Sequence, residues 1–65
     1  MDIFLNNLPI KVSEGTTVVE LITMLGYVGS VAVFVNDKQL LMSEYKGFIV
    51  LENDRVLIIK PLGGG

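Results

Sequence analysis

The sequence predicts an α+β fold, a single helix packed across one face of a mixed β-sheet. Three observations lead there. Only one stretch carries apolar residues at helical spacing. The rest is a series of short β-prone segments divided by turn signals, so that the order reads β-β-α-β-β-β. The first and last of these segments are the most apolar, as central strands are, and would most simply lie side by side in the middle of the sheet.

Each element follows from local chemistry. Residues 1–5 are apolar and β-prone, Asn6-Asn7 is a turn signal, and residues 10–13 alternate apolar and polar as a half-buried strand does. These form an N-terminal hairpin, with Leu8 and Pro9 expected in or beside its loop. Glu14-Gly15 breaks the hairpin. Thr17 with Glu20 three residues later fits a capping box. Val18, Leu21, Ile22 and Leu25 then form one apolar stripe, and Gly26 stands where a C-cap glycine belongs. After Gly29-Ser30, residues 31–35 are too β-branched for a helix. Asn36-Asp37-Lys38 is a turn, residues 39–42 a short return strand, and residues 43–47 a single helical turn or loop. Residues 48–51 are extended, residues 52–54 turn again, and residues 55–62 make the last strand.

Composition narrows the function. The chain has 65 residues, 51% of them hydrophobic, a formal charge of −2, and neither Cys nor His. A chain of this size is one domain and buries only about 60% of the surface that its unfolded form exposes. Without disulfides or Cys-based metal sites, stability must come from a dense apolar core. So high an apolar content in so small a volume also leaves apolar side chains outside, where a contiguous patch marks a binding surface. The usual general base and the best thiol nucleophile are missing, and no phosphate-binding or zinc motif occurs, so self-contained catalysis is not expected and no metal site is assigned. Glu52 and Asp54, beside Asn53, read as turn chemistry. The scattered basic residues (Lys11, Lys38, Lys46, Arg55 and Lys60) do not form a nucleic-acid footprint. No apolar stretch approaches the roughly 20 residues of a membrane span and no signal peptide is evident, so a cytoplasmic location is the expectation.

One helix covers one face of the sheet. If Ile3, Leu5, Val33, Val35, Val56 and Ile58 point at it, alternation turns Phe4, Phe34, Leu57 and Ile59 to the other side. Those four are the candidate partner-docking residues. The competing expectation is that residues 43–51 cover part of this surface, or that the register is shifted by one.

The chain closes on Gly63-Gly64-Gly65, directly after an apolar strand. Three glycines provide reach and thinness in place of packing, spanning roughly 10 Å when extended. They divide the chain into a domain of residues 1–62 and a flexible tail of residues 63–65. Such a tail could thread a narrow channel and present its terminal carboxylate to another protein. Pro61, with φ fixed near −65°, would stiffen its exit.

The element order, EGTTVVELI at the helix start, VAVFVN before a turn, ENDRVLII, and the terminal Gly-Gly together resemble the bacterial ubiquitin-like sulfur carriers of the β-grasp fold. The thiamine-pathway branch, ThiS, is the nearer; the molybdopterin synthase small subunits, MoaD, are related but usually longer. The resemblance covers the whole chain, and each motif is weak alone. It implies a carrier protein, a co-substrate of partner enzymes and not itself an enzyme. The working group would be the carboxylate of Gly65, with Gly63 and Gly64 threading the partner's active site. An E1-like adenylyltransferase of the ThiF/MoeB kind would spend ATP to adenylate that carboxylate, and sulfur would then replace AMP to give a thiocarboxylate. The implied sulfur acceptor is a thiazole synthase of the ThiG kind, or alternatively a molybdopterin precursor or another cofactor. No cofactor is expected to be bound by the chain itself. A ubiquitin-like protein modifier or interaction module is the competing function. Two departures stand out: a third glycine, Gly63, and Lys60-Pro61-Leu62 in place of the arginines that precede the tail in eukaryotic ubiquitin.

Overall fold

The structure, a computed structural model, describes residues 1–61; residues 62–65, with the three glycines, lie outside the described residues. The elements are β1 (Asp2–Leu5), β2 (Leu8–Lys11), α1 (Val18–Met24), β3 (Ala32–Val35), β4 (Lys38–Gln39), a 3-10 helix (Met42–Glu44) and β5 (Arg55–Ile59). The sheet runs β2-β1-β5-β3-β4. β1 and β5 pair in parallel, and the other neighbours pair antiparallel. The first and last strands are thus neighbours, with β5 at the centre.

Two tight turns fix the hairpin registers. Asn6 and Asn7 (φ 51° and 69°) join β1 to β2, while Asn36 and Asp37 (φ 51° and 71°) join β3 to β4. Positive φ at both central residues is the type I′ geometry, whose twist matches that of the flanking strands and which Asn and Asp tolerate. Leu5 is therefore paired directly with Leu8, and Pro9 with Phe4. β2 thus begins at Leu8, two residues earlier than the expected strand of residues 10–13: two residues suffice for the turn, so Leu8 and Pro9 lie beside it within the strand, and Pro9 is accepted because β2 is an edge strand. Both turns also hold β5. The Asn6 side-chain oxygen accepts from the Ile58 amide at 2.7 Å, and that of Asn36 accepts from the Arg55 amide at 2.9 Å.

The helix begins as its sequence signature predicts. Thr17 Oγ1 accepts from the Glu20 amide, and the Glu20 carboxylate accepts from the Thr17 amide at 3.0 Å. Leu25 closes the helix, and Gly26 follows at φ 76°. Val18 and Leu21 are buried, with Ile22 and Leu25 packed at the margin of the core. Ile3, Val18, Leu21, Val33, Val50 and Val56 are the most completely buried side chains. Each stabilises the fold by roughly 1.5–3 kcal/mol relative to exposure.

Three strand expectations are shortened. β4 ends at Gln39, and the chain then forms an exposed 3-10 helix, Met42–Glu44, capped at Leu41, whose amide donates to the Glu44 carboxylate at 2.7 Å. Residues 48–51 join no ladder beyond one bridge, Thr17 to Ile49. β5 ends at Ile59, before Lys60 and Pro61.

Residues 43–51 pack on the helix side. The Val18 amide donates to the Phe48 carbonyl and the Val50 amide to the Thr16 carbonyl, both at 3.0 Å. Tyr45 and Val50 enter the core, and the Tyr45 hydroxyl donates to the Val31 carbonyl at 3.0 Å. Among the described residues, that segment leaves the opposite sheet face open.

Candidate functional site

The open face is built by alternation. On the helix side Ile3, Leu5, Val33, Val35, Val56 and Ile58 are buried. Their neighbours in sequence point the other way: Phe4 remains 40% exposed, Leu57 38% and Ile59 44%. Phe34 is half-buried. The register brings these side chains together, since Phe34 faces Leu57 across β3 and β5, and Ala32 faces Ile59. Phe4 sits beside Arg55 across β1 and β5.

The surface is not flat. A groove of about 560 Å³ is lined by Phe4, Phe34, Leu57 and Ile59 together with Asn7, Asp37, Arg55 and Val56. Reading the sequence by its apolar residues missed the polar members. The signal that could have found Arg55 was present, because it stands two and four residues before Leu57 and Ile59 and so shares their face. Its guanidinium donates to Asp37 at 3.1 Å, from side chains that are 64% and 90% exposed.

The face is polarised along β5. At the strand's start lie Arg55 and Asp37, with Phe4 beside Arg55, and a second exposed pair, Lys11 to Asp2 at 2.8 Å, joins β2 to β1. The hydrogen bond and charge of Lys11 hold the Asp2 carboxyl below its ordinary range, and Asp2 in turn raises the Lys11 ammonium. Toward the strand's end, where the chain leaves the sheet, lie Leu57 and Ile59, with half-buried Phe34 opposite Leu57. The Lys60 ammonium donates to the Val28 carbonyl at this exit. Pro61 lines a second depression with Leu41, Met42 and Tyr45 on the helix side. Gly63, Gly64 and Gly65 are outside the described residues.

Comparison with known proteins places this architecture. The ThiS family model matches residues 4–65. The chain belongs to the ThiS family. Its fold is the ubiquitin-like β-grasp fold of that family, an α+β structure with five strands and one α-helix. A crystal structure of the thiamine biosynthesis protein ThiS from Geobacter metallireducens matches with a TM-score of 0.81 at 28% identity, covering 100% of both chains. No curated protein matches the sequence. The ThiS family match includes the three glycines as well as the strands that form the open face. No described helix is long and apolar enough to cross a membrane.

Proposed function

We propose that this chain is a sulfur carrier whose reactive group is the carboxylate of Gly65. The observation that carries the reading is the ThiS family match, which runs through Gly63, Gly64 and Gly65. The composition supports it, since a chain with no His and no Cys has little chemistry of its own to offer.

The chemistry explains why a partner is needed. A terminal carboxylate has a pKa near 3.3–3.7, so at neutral pH it is an anion and a poor electrophile. An E1-like enzyme supplies ATP. One carboxylate oxygen attacks the α-phosphorus, pyrophosphate leaves, and the product is an acyl adenylate. Sulfide-level sulfur then adds to the carbonyl carbon and AMP departs, leaving a thiocarboxylate; where the sulfur arrives as a protein persulfide, the acyl disulfide first formed is cleaved by a thiol, which leaves joined to the donor as a disulfide. The carrier's own residues bind and orient. Phe4, Phe34, Leu57 and Ile59 form the docking face, and Gly63 and Gly64 reach into the partner's active site. The sulfur acceptor in this reading is a thiazole synthase, because the similar Geobacter protein is a thiamine biosynthesis protein.

Deleting Gly64 and Gly65 tests the assignment. ATP–pyrophosphate exchange by the E1-like enzyme of the same organism is expected to disappear, with the thermal midpoint of the carrier unchanged. Undiminished exchange would contradict it.

A further inference from the structure

We infer that Arg55 is an orientation-determining contact, received by a carboxylate on the adenylating partner. The inference rests on the docking role proposed for the open face. Arg55 belongs to that face: it is the first residue of the central strand, beside Phe4 in register, and lines the same groove as Leu57 and Ile59. A partner surface that covers Phe4 and Leu57 therefore covers Arg55. Among the described residues the guanidinium makes one hydrogen bond, to Asp37. It has five N–H donors, and a cation removed from water with most of its donors unpaired is strongly unfavourable.

Asp37 meets only part of that need. It lines the same groove from the β3–β4 turn, but its side chain is 90% exposed and it accepts a single guanidinium hydrogen bond. Exposed ion pairs of this kind contribute little and are easily exchanged. The remaining donors require an acceptor from the partner, and a carboxylate matches the guanidinium in charge and in its two-pronged geometry.

The position gives the contact its role. Arg55 and Ile59 stand four positions apart on β5, about 13 Å along the strand. An apolar patch alone would accept a flat partner in more than one rotation, including one that sends the glycine tail away from the partner's catalytic centre. A charge at the start of β5, beside Phe4 and on the far side of Leu57 and Ile59 from the exit at Lys60, makes the face asymmetric and breaks that degeneracy.

The experiment measures binding of full-length carrier variants to the E1-like enzyme of the same organism across a series of salt concentrations. Ile59→Asp tests the face itself, and Arg55→Gln tests the inference. The expected result is weakening by both, about tenfold or more for Arg55→Gln. Arg55→Gln should also flatten the salt dependence of association. Asp37→Asn, which releases the guanidinium, should bind at least as tightly as the unaltered chain. If Ile59→Asp weakens binding and Arg55→Gln does not, the inference is overturned while the docking face stands. Equal weakening by Arg55→Gln and Asp37→Asn would also overturn it, because the pair would then act only within the carrier. If Ile59→Asp has no effect, the docking face falls and the inference with it.

Discussion

Asn6 shows how much one polar side chain can hold in a domain this small. Its φ of 51° sets the β1–β2 turn, and its side chain accepts the Ile58 amide from the central strand. The two roles can be separated by mutation. Asn6→Gly keeps the turn and loses the bond, for an expected cost of about 1–3 kcal/mol from the stranded amide. Asn6→Ala should cost roughly 1–2 kcal/mol more, because alanine resists the left-handed conformation. Denaturant unfolding of both variants checks the order; equal losses would show that the turn carries no strain. At Thr17, replacement by Ala should cost about 1 kcal/mol by removing the helix cap. The Asp2–Lys11 pair offers a pH test of its own. The Asp2 pKa is lowered in the folded state, so its contribution is present above the ordinary carboxylate value and fades as pH falls through the lowered one. The Lys11 pKa is raised, so its contribution fades only as pH rises through that raised value. Both groups are fully exposed, which keeps the effect small. NMR titration of Lys11→Met should show the Asp2 carboxyl returning upward to its ordinary value; no movement would remove Lys11 as the cause.

At the level of elements, β5 carries the most information, and alternation along it was readable in advance. Val56 and Ile58 enter the core while Leu57 and Ile59 face outward, as period-two reasoning predicts. The contrast yields a paired prediction. Ile58→Ala should destabilise the fold by about 2–5 kcal/mol. Ile59→Asp, on a side chain 44% exposed, should leave thermal stability nearly unchanged and act on partner binding. A large stability loss from Ile59→Asp would show that the outer face is core. Helix limits were legible for the same kind of local reason, since Thr17, Glu20 and Gly26 are chemical signals within a few residues of one another. What was not legible depended on contacts remote in sequence. β4 stops at Gln39 because the chain turns to bring Tyr45 beneath Val31, and nothing near Gln39 announces that. The start of β2 at Leu8 was also not legible, because only the structure shows that Asn6-Asn7 completes the turn in two residues and lets Leu8 and Pro9 join the ladder.

For the molecule as a whole, one division of labour explains the distribution of residues. The helix and residues 43–51 close one side of the sheet, tied together where the Val18 amide donates to Phe48, the Val19 amide to Tyr45 and the Val50 amide to Thr16. The other side keeps Phe4, Leu57 and Ile59 partly exposed, with Arg55 at the start of β5 beside Phe4. The sequence disclosed the apolar half of this site through four residues. It concealed the charged half because Arg55 looked like one of several scattered cations until the register set it beside Phe4. The account converges on a single atom group, the carboxylate of Gly65, and intact-mass spectrometry addresses it most directly. After incubation with the E1-like enzyme, ATP and a sulfur donor, the account predicts a gain equal to the exchange of one oxygen for one sulfur, confined to a C-terminal fragment that contains Gly65. An unaltered mass beside covalent adducts with other proteins would contradict it, and would make the chain a protein modifier instead.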